Sequence, residues 1–162
     1  MKILITGGAG FIGTHLCKKL LDEGCTVRVL DNFSEQIHGK DPNFENGLSE
    51  VEIVRGDIRD KSLVASSIKD IDVIVHFAAE TGTGQSMYEI SKYEEVNVGG
   101  TLNIIEFLLQ NKTNVKKIIV ASSRSTYGEG AYYCNQHGHV VPQVREEEDM
   151  LNGFFEPRCP IC

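Results

Sequence analysis

The chain has 162 residues, of which 41% are hydrophobic and 24% charged, with a net charge of −7 at neutral pH. That length suits one well-buried domain and is too short for two, and the composition is that of an ordinary globular protein. The negative balance argues against a general nucleic-acid or anionic-membrane binder, because no broad basic surface would attract phosphate.

No apolar stretch approaches the length of a membrane span, and the runs over 73–79 and 118–121 suit buried strands. Met1-Lys2 enters a strand with no signal peptide ahead of it, so a cytoplasmic protein is expected. Its five cysteines are then expected as thiols or metal ligands rather than disulfides.

The β-branched run Lys2-Ile-Leu-Ile-Thr6 predicts a strand over 2–6, and helical spacing predicts a helix over 13–23. Between them stand Gly7, Gly10 and Gly13. Such a strand–glycine turn–helix unit cradles a pyrophosphate. Gly7 allows the sharp turn, Gly10 lets the backbone approach the phosphates, and Gly13 lets the helix pack closely on the strand. Unpaired N–H groups and the dipole at the helix N-terminus then face the anion. Phe11 and Ile12, inside the same turn, are assigned to the site with them.

A second strand, over 26–30, ends at Asp31, 18 residues past Gly13. A carboxylate there accepts hydrogen bonds from an adenosine ribose and repels a 2′-phosphate, which favours NAD over NADP. Asn32 adjoins it and is assigned to the same site. The alternative is a glycine turn with no ligand. The polar stretch 34–50, rich in Gly and Asn, reads as a long surface loop.

After a third strand over 51–55 comes Gly56-Asp57-Ile58-Arg59-Asp60. Asp57 is placed to accept from the exocyclic amine of adenine and Ile58 to pack on its ring. Asp60 is expected to cap a helix over 61–68. The fourth strand, over 73–77, lacks polar alternation, as a sheet buried on both sides demands. Phe77, Ala78 and Ala79 follow, the small alanines letting a cofactor pass close. His76 reads as a buried strand residue rather than a chemical one.

A turn is expected near 85–90, a helix over 93–110 that carries Asn97, and a fifth strand over 117–121. Ser122, Ser123, Ser125 and Thr126 then cluster at the carboxyl end of a strand, where this sheet type places its ligands. A turn cap is the alternative for any one of them. Alternating strands and helices give an α/β fold, a Rossmann-type doubly wound parallel sheet with helices on both faces. The cofactor-binding domain is drawn as 1–128.

From Arg124 the periodicity collapses, and 129–162 reads as an irregular tail. It holds Cys134-Asn-Gln-His137 and Cys159-Pro-Ile-Cys162, two pairs with two-residue spacers, separated by 21 residues. That is the spacing of a tetrahedral zinc site, and a tail with few core-forming residues would gain order from one. Ordinary thiols in a flexible segment, or a redox pair at Cys159 and Cys162, stay open. Cys17 and Cys25 read as packing residues.

These stretches, with Thr81-Gly-Thr-Gly-Gln-Ser-Met87, Asn97-Val-Gly-Gly-Thr101 and Ser122-Ser-Arg-Ser-Thr-Tyr-Gly128, resemble the extended short-chain dehydrogenase/reductase family over nearly all of 1–128. The resemblance is to its NAD-dependent nucleotide-sugar epimerases and dehydratases. Gly84-Gln-Ser-Met-Tyr88, Ser122 through Gly130 and Glu156-Pro-Arg-Cys-Pro-Ile-Cys162 are most similar to the dTDP-rhamnose 4-epimerase type.

The resemblance implies bound NAD, a nucleotide-sugar substrate and a hydride relay. A tyrosine, its pKa lowered by a nearby lysine and the nicotinamide charge, takes a proton from a sugar hydroxyl while the carbon-bound hydrogen leaves as hydride to NAD. The keto sugar turns over and receives the hydride on its other face. A hydroxyl residue, here Ser123 by its position before Tyr127-Gly128, hydrogen-bonds the reacting oxygen, and Ser122 lies against the cofactor. Arg124 and Ser125 stand where the dehydratases carry acidic residues, which favours epimerisation. The family commonly dimerises through helices flanking the fourth and fifth strands, with 88–109 as one surface here; a monomer stays open.

One departure matters. The family's Tyr-x-x-x-Lys pair does not occur after Ser123, since Tyr132 and Tyr133 are followed four residues later by Gln136 and His137. Tyr88 and Lys92 have the spacing but precede the fifth strand. The expectation is therefore the N-terminal cofactor-binding part of a longer epimerase, inactive alone. A non-catalytic dinucleotide sensor or interaction module is the alternative.

Overall fold

Five short runs of aliphatic residues form one parallel sheet in a computed structural model that describes residues 1–40 and 49–162. The strands are β1 (Lys2–Thr6), β2 (Thr26–Asp31), β3 (Glu52–Arg55), β4 (Val73–His76) and β5 (Lys117–Val120), in the order β3-β2-β1-β4-β5. Neighbours pair in parallel register, Ile5 opposite Val29 on one side and Val75 on the other. Successive residues of a strand point to opposite faces. Leu4, Leu30 and Ile74 therefore enter one core, and Ile3, Ile5, Val27, Val29 and Val75 enter the other. The first face is covered by α3 (Lys61–Ile68), through Val64 and Ile68, and α6 (Gly100–Gln110), through Ile104. The second is covered by α1 (Phe11–Asp22), through Cys17. Burial pushes the Cys17 thiol up to about 11, so it packs as an inert apolar group. The sheet is thus doubly wound, which is why its strands show no polar alternation.

Local signals place the elements. Asp60 caps α3, its carboxylate accepting from the backbone N–H of Ser62 and of Leu63 at 2.9 and 3.0 Å. Gly13 sits where α1 crosses the turn after β1, and a Cβ there would lie 2.5 Å from Gly8 Cα.

Three expectations need correction. The stretch 34–50 contains a four-residue helical turn, α2 (Glu35–His38), capped at its end by Gly39; residues 41–48 of that predicted loop lie outside the described residues. The fifth strand is not buried. Among the described residues it forms one edge of the sheet and pairs only with β4, leaving Ile118, Ile119 and Val120 exposed. The helix predicted over 93–110 begins earlier and is not uniform. α4 (Thr83–Ser86) and α5 (Ile90–Tyr93) precede a wide π-type turn, Glu94–Gly99, that runs into α6. Such wide turns are rare and recur at functional sites.

The chain divides into two units, Met1–Ala121 and Ser122–Cys162. The second has more regular structure than its sequence period suggests. A 3-10 turn spans Arg124–Tyr127, and α7 spans Glu147–Leu151. β6 (Tyr132–Cys134) and β7 (Gly138–Val140) pair antiparallel, Tyr132 opposite Val140 and Cys134 opposite Gly138.

A chain of hydrogen bonds runs beneath the carboxyl edge of β1 and β4. The Ala78 N–H donates to Thr6 Oγ1 at 3.2 Å, and Thr6 Oγ1 is 2.6 Å from His76 Nδ1. His76 Nε2 is 2.9 Å from Thr101 Oγ1, which donates to the Asn97 carbonyl at 2.7 Å. Donor counting assigns the tautomer. The Thr101 proton goes to Asn97, so Nε2 must carry the ring proton and Nδ1 accepts from Thr6. His76 is buried as expected, and its burial holds it below the ordinary value of 6.5.

A folded-state pKa below the unfolded one means that His76 supports the fold above the unfolded value and that this support is lost as pH falls toward the folded value. Urea melts at about pH 7.5 and about pH 5 should therefore show lower stability at the acidic end, with a shallower pH slope in His76→Gln. An identical slope in that variant would contradict the neutral buried ring. Ile74→Ala, at a fully buried position joining both β1 and β5, should cost about 2–5 kcal/mol in the same melts.

Candidate functional site

The strand order reverses between β1 and β4, because the chain first adds β2 and β3 on one side of β1 and then β4 and β5 on the other. Ligands of open α/β sheets bind outside the carboxyl ends of strands at that reversal. Two segments meet there. The turn after β1 approaches the end of β4 so closely that a Cβ on Gly7 would lie 2.6 Å from Ala78 N and 2.8 Å from the Phe77 carbonyl carbon. Gly7 also has φ +67°, a conformation that side chains disfavour. Phe77, Ala78 and Gly7 therefore share one wall of the crevice.

Gly10 differs. Its φ is −69°, which any residue adopts, and a Cβ would meet only the Gly7 carbonyl oxygen, at 3.4 Å. Among the described residues no closer contact excludes a side chain there. Gly10 is also the N-cap of α1 and offers no capping side chain. The N–H groups of the first turn, at Phe11, Ile12 and Gly13, have no partner within the helix by its geometry. Phe11 and Ile12 are largely exposed, 82% and 66%, beside that turn.

Asp31 sits at the end of β2 with its carboxylate 7% exposed. Oδ2 accepts from the Ala9 N–H at 3.0 Å, and Oδ1 accepts from the Phe33 N–H at 2.8 Å. The carboxylate thus also fixes the glycine turn, a role the sequence reading did not include. His38 Nε2 lies 3.5 Å from Oδ1. A carboxylate has about four lone-pair sites, so a ribose hydroxyl can still be accepted. Asn32, next in line, accepts from Ser34 N–H at 3.0 Å and bonds to Asp57.

Asp57 is gripped by Arg59, whose Nε and Nη2 each donate at 2.9 Å to its two oxygens. That fork holds its carboxyl below the usual carboxylate range. Ile58 is buried in the core against Gly100, where a Cβ would lie 2.5 Å from Ile58 Cγ2. Asn97 turns inward to the segment after Ala79. Its Oδ1 accepts from the Glu80 N–H at 2.8 Å and its Nδ2 donates to the Glu80 carbonyl at 3.1 Å. It thereby positions the backbone that follows β4. Thr6, Thr101, Arg59 and His38 were all missed by the sequence reading. Only Thr101 had a legible signal, four residues past Asn97 on one helical face.

In the second unit, Ser122 and Ser123 are exposed, and Ser123 Oγ accepts from the Ser125 N–H at 3.1 Å, so it caps the 3-10 turn. The four predicted metal ligands come together. Cys134 Sγ and Cys159 Sγ are each 3.6 Å from His137 Nδ1, and Cys134 Sγ is 3.8 Å from Cys162 Sγ. All four donor atoms lie within 4.8 Å of one another. Backbone N–H groups of Cys162 and Ile161 pull the Cys159 thiol down to about 6. No helix of the described residues is long and apolar enough to cross a membrane.

Comparison with known proteins agrees with this geometry. The NAD dependent epimerase/dehydratase family matches residues 3–160. The chain is 38% identical over 146 residues to a dTDP-L-rhamnose 4-epimerase of Burkholderia thailandensis, covering 89% of this chain and 40% of that protein. It is 40% identical over 131 residues to a UDP-glucose 4-epimerase of Halalkalibacterium halodurans, covering 80% and 36%. Among solved structures, a UDP-glucose 4-epimerase from Bifidobacterium longum in complex with NAD+ and UDP superposes with a TM-score of 0.64 at 34% identity, over 79% of this chain and 38% of that one. Another UDP-glucose 4-epimerase gives a TM-score of 0.66 at 36% identity, over 80% and 37%. The chain therefore spans about two fifths of the length of these relatives. From its strand order, its glycine turn and these matches together, the chain belongs to the NAD-dependent epimerase/dehydratase family.

Proposed function

We propose that this chain is the NAD-binding part of a nucleotide-sugar 4-epimerase. One observation carries the reading: Gly10 lacks a side chain at the strand-order reversal, where among the described residues a Cβ would meet only the Gly7 carbonyl oxygen, at 3.4 Å. A pyrophosphate there would accept from the first-turn N–H groups of α1 and gain from its dipole. Asp31 would hold the adenosine ribose and reject a 2′-phosphate. Asp57 would take the adenine amine, with Arg59 fixing the carboxylate that receives it, and Ile58, buried against Gly100 rather than open to a ring, would hold that loop in place. Phe77, Ala78 and Ala79 would wall the crevice, and Asn97 would set their backbone through Glu80. Bound NAD supplies a reversible hydride acceptor for a sugar carbon. Ser123 would hydrogen-bond the reacting sugar oxygen, with Ser122 beside the cofactor.

Epimerisation is assigned to the whole protein, and dinucleotide binding to these 162 residues, which carry no Tyr-x-x-x-Lys pair after Ser123. A nucleoside-diphosphate sugar is the substrate class, in keeping with the relatives that act on UDP-glucose and dTDP-L-rhamnose. A dimer through 88–109 belongs to the same reading, with Leu102, Ile105 and Leu109 exposed there. So does a cytoplasmic setting, in which thiols stay reduced. The Cys134, His137, Cys159 and Cys162 cluster is given to a metal ion with no part in hydride transfer.

Calorimetric titration of the chain should give NAD binding at least about 10-fold tighter than NADP, with Asp31→Asn erasing most of that preference. Gly10→Ala should keep the wild-type melting curve and yet weaken NAD by at least about 10-fold. Full NAD affinity in Gly10→Ala would overturn the placement of the pyrophosphate. In the whole protein, Ser123→Ala should lower kcat by roughly 100-fold with NAD retained; an unchanged kcat would remove Ser123 from the reaction.

A further inference from the structure

The segment Ser122–Cys162 poses a folding problem that its side chains do not solve. Among the described residues of this unit only Val140 and Pro142 are buried, while Tyr133, Val144, Leu151, Phe155 and Ile161 are exposed. Units of about 40 residues rarely build a sufficient apolar core and usually need a metal or disulfides. Its cysteines are free thiols. Its ion pairs, Arg145 with Glu129 and Arg158 with Asp149, are solvent-accessible, and Arg145 Nε also donates to the Phe155 carbonyl at 2.6 Å. Ion pairs of that kind contribute little to stability.

Against this background the Cys/His cluster has a specific geometry. A tetrahedral Zn²⁺ with bonds of about 2.3 Å to sulfur and about 2.0–2.1 Å to nitrogen requires S···S edges near ~3.8 Å and S···N edges near ~3.6 Å. The observed separations are 3.8 Å for Cys134 to Cys162 and 3.6 Å from His137 Nδ1 to both Cys134 and Cys159. A disulfide would bring two sulfurs to about 2.05 Å instead. Three sulfurs and an imidazole suit zinc and disfavour calcium or magnesium, which take oxygen. Four protein ligands close the coordination shell, so no position is left for a substrate or an activated water.

The ligands also sit where a metal would tie the unit together. Cys134 and His137 flank the turn of the β6–β7 hairpin, which Gly138 closes at φ +72°. Cys159 and Cys162 belong to the last four residues. We infer that Cys134, His137, Cys159 and Cys162 bind one Zn²⁺ in a closed tetrahedron, and that this ion, in place of an apolar core, folds residues 122–162. This presupposes that the cluster takes a metal at all, and adds which metal and what it does. Binding involves no redox step. Three thiols lose their protons to solvent, the neutral imidazole donates a lone pair, and the site carries a net charge of −1.

The test uses the reduced 162-residue chain. Elemental analysis after gel filtration should find about one zinc per chain. His137→Cys, which keeps a four-ligand set, should retain it. His137→Ala and the double variant Cys159→Ser/Cys162→Ser should lose it. On addition of a zinc chelator, amide resonances of 122–162 should collapse to random-coil positions while those of 1–121 stay dispersed, and zinc chloride should restore them. Zinc well below one per chain in the wild type, or 122–162 resonances that stay dispersed after zinc is stripped, would overturn the inference. NAD titration of the same samples reads the dinucleotide assignment separately, so NAD binding without zinc condemns the metal alone.

Discussion

The first unit is organised around a backbone contact that no side chain could share. The turn after β1 and the end of β4 come within van der Waals reach at Gly7, where even a methyl group would strike Ala78 and Phe77. Because the two segments touch, the strand-order reversal is bordered there by main chain. The same turn starts α1, whose first-turn N–H groups have no partner within the helix. Asp31, at the end of the neighbouring strand, holds the turn from the other side by accepting from Ala9. A larger residue at position 7 would push β1 and β4 apart and spoil all of these relations together.

Beneath this edge, polar groups are paired in series. Thr6, His76, Thr101 and Asn97 link β1, β4 and α6, and Asn97 then clamps the backbone at Glu80. Each donor of that series meets an acceptor, so the segment after β4 is fixed by the protein itself. Fixing a site in advance lowers the entropic cost of binding. The two units rely on different physics. Residues 1–121 bury aliphatic side chains on both faces of a sheet, whereas residues 122–162 bury almost none and bring four metal-ligating atoms together.

Much of this was legible in the sequence because its causes are local. The strand runs, the glycines at 7, 10 and 13, Asp31 and the capping Asp60 each have a signature within a few residues, and the structure places them in the expected elements. His76 could be read as buried because it interrupts an otherwise aliphatic strand. What could not be read depends on contacts distant in sequence. β5 is as apolar as β4, yet it lies at the sheet edge, and only the pairing order reveals that. The contact of Asp31 with Ala9 joins residues 22 positions apart, and the clamp of Asn97 on Glu80 joins residues 17 positions apart, from within the wide turn after α5. The β6–β7 hairpin escaped because its strands have three residues each and its turn lacks a two-residue hairpin signature. The pairing of the two cysteine-bearing segments followed from their spacing alone.

The central claim is that a dinucleotide lies across the first turn of α1, between the turn after β1 and the end of β4. Amide chemical-shift mapping of the chain during titration with NAD examines that claim most directly. The account predicts the largest changes at Gly10, Phe11, Ile12 and Gly13, with further changes at Asp31 and Ala78. Saturating NAD that left those amides unmoved, or moved only amides away from that crevice, would contradict it.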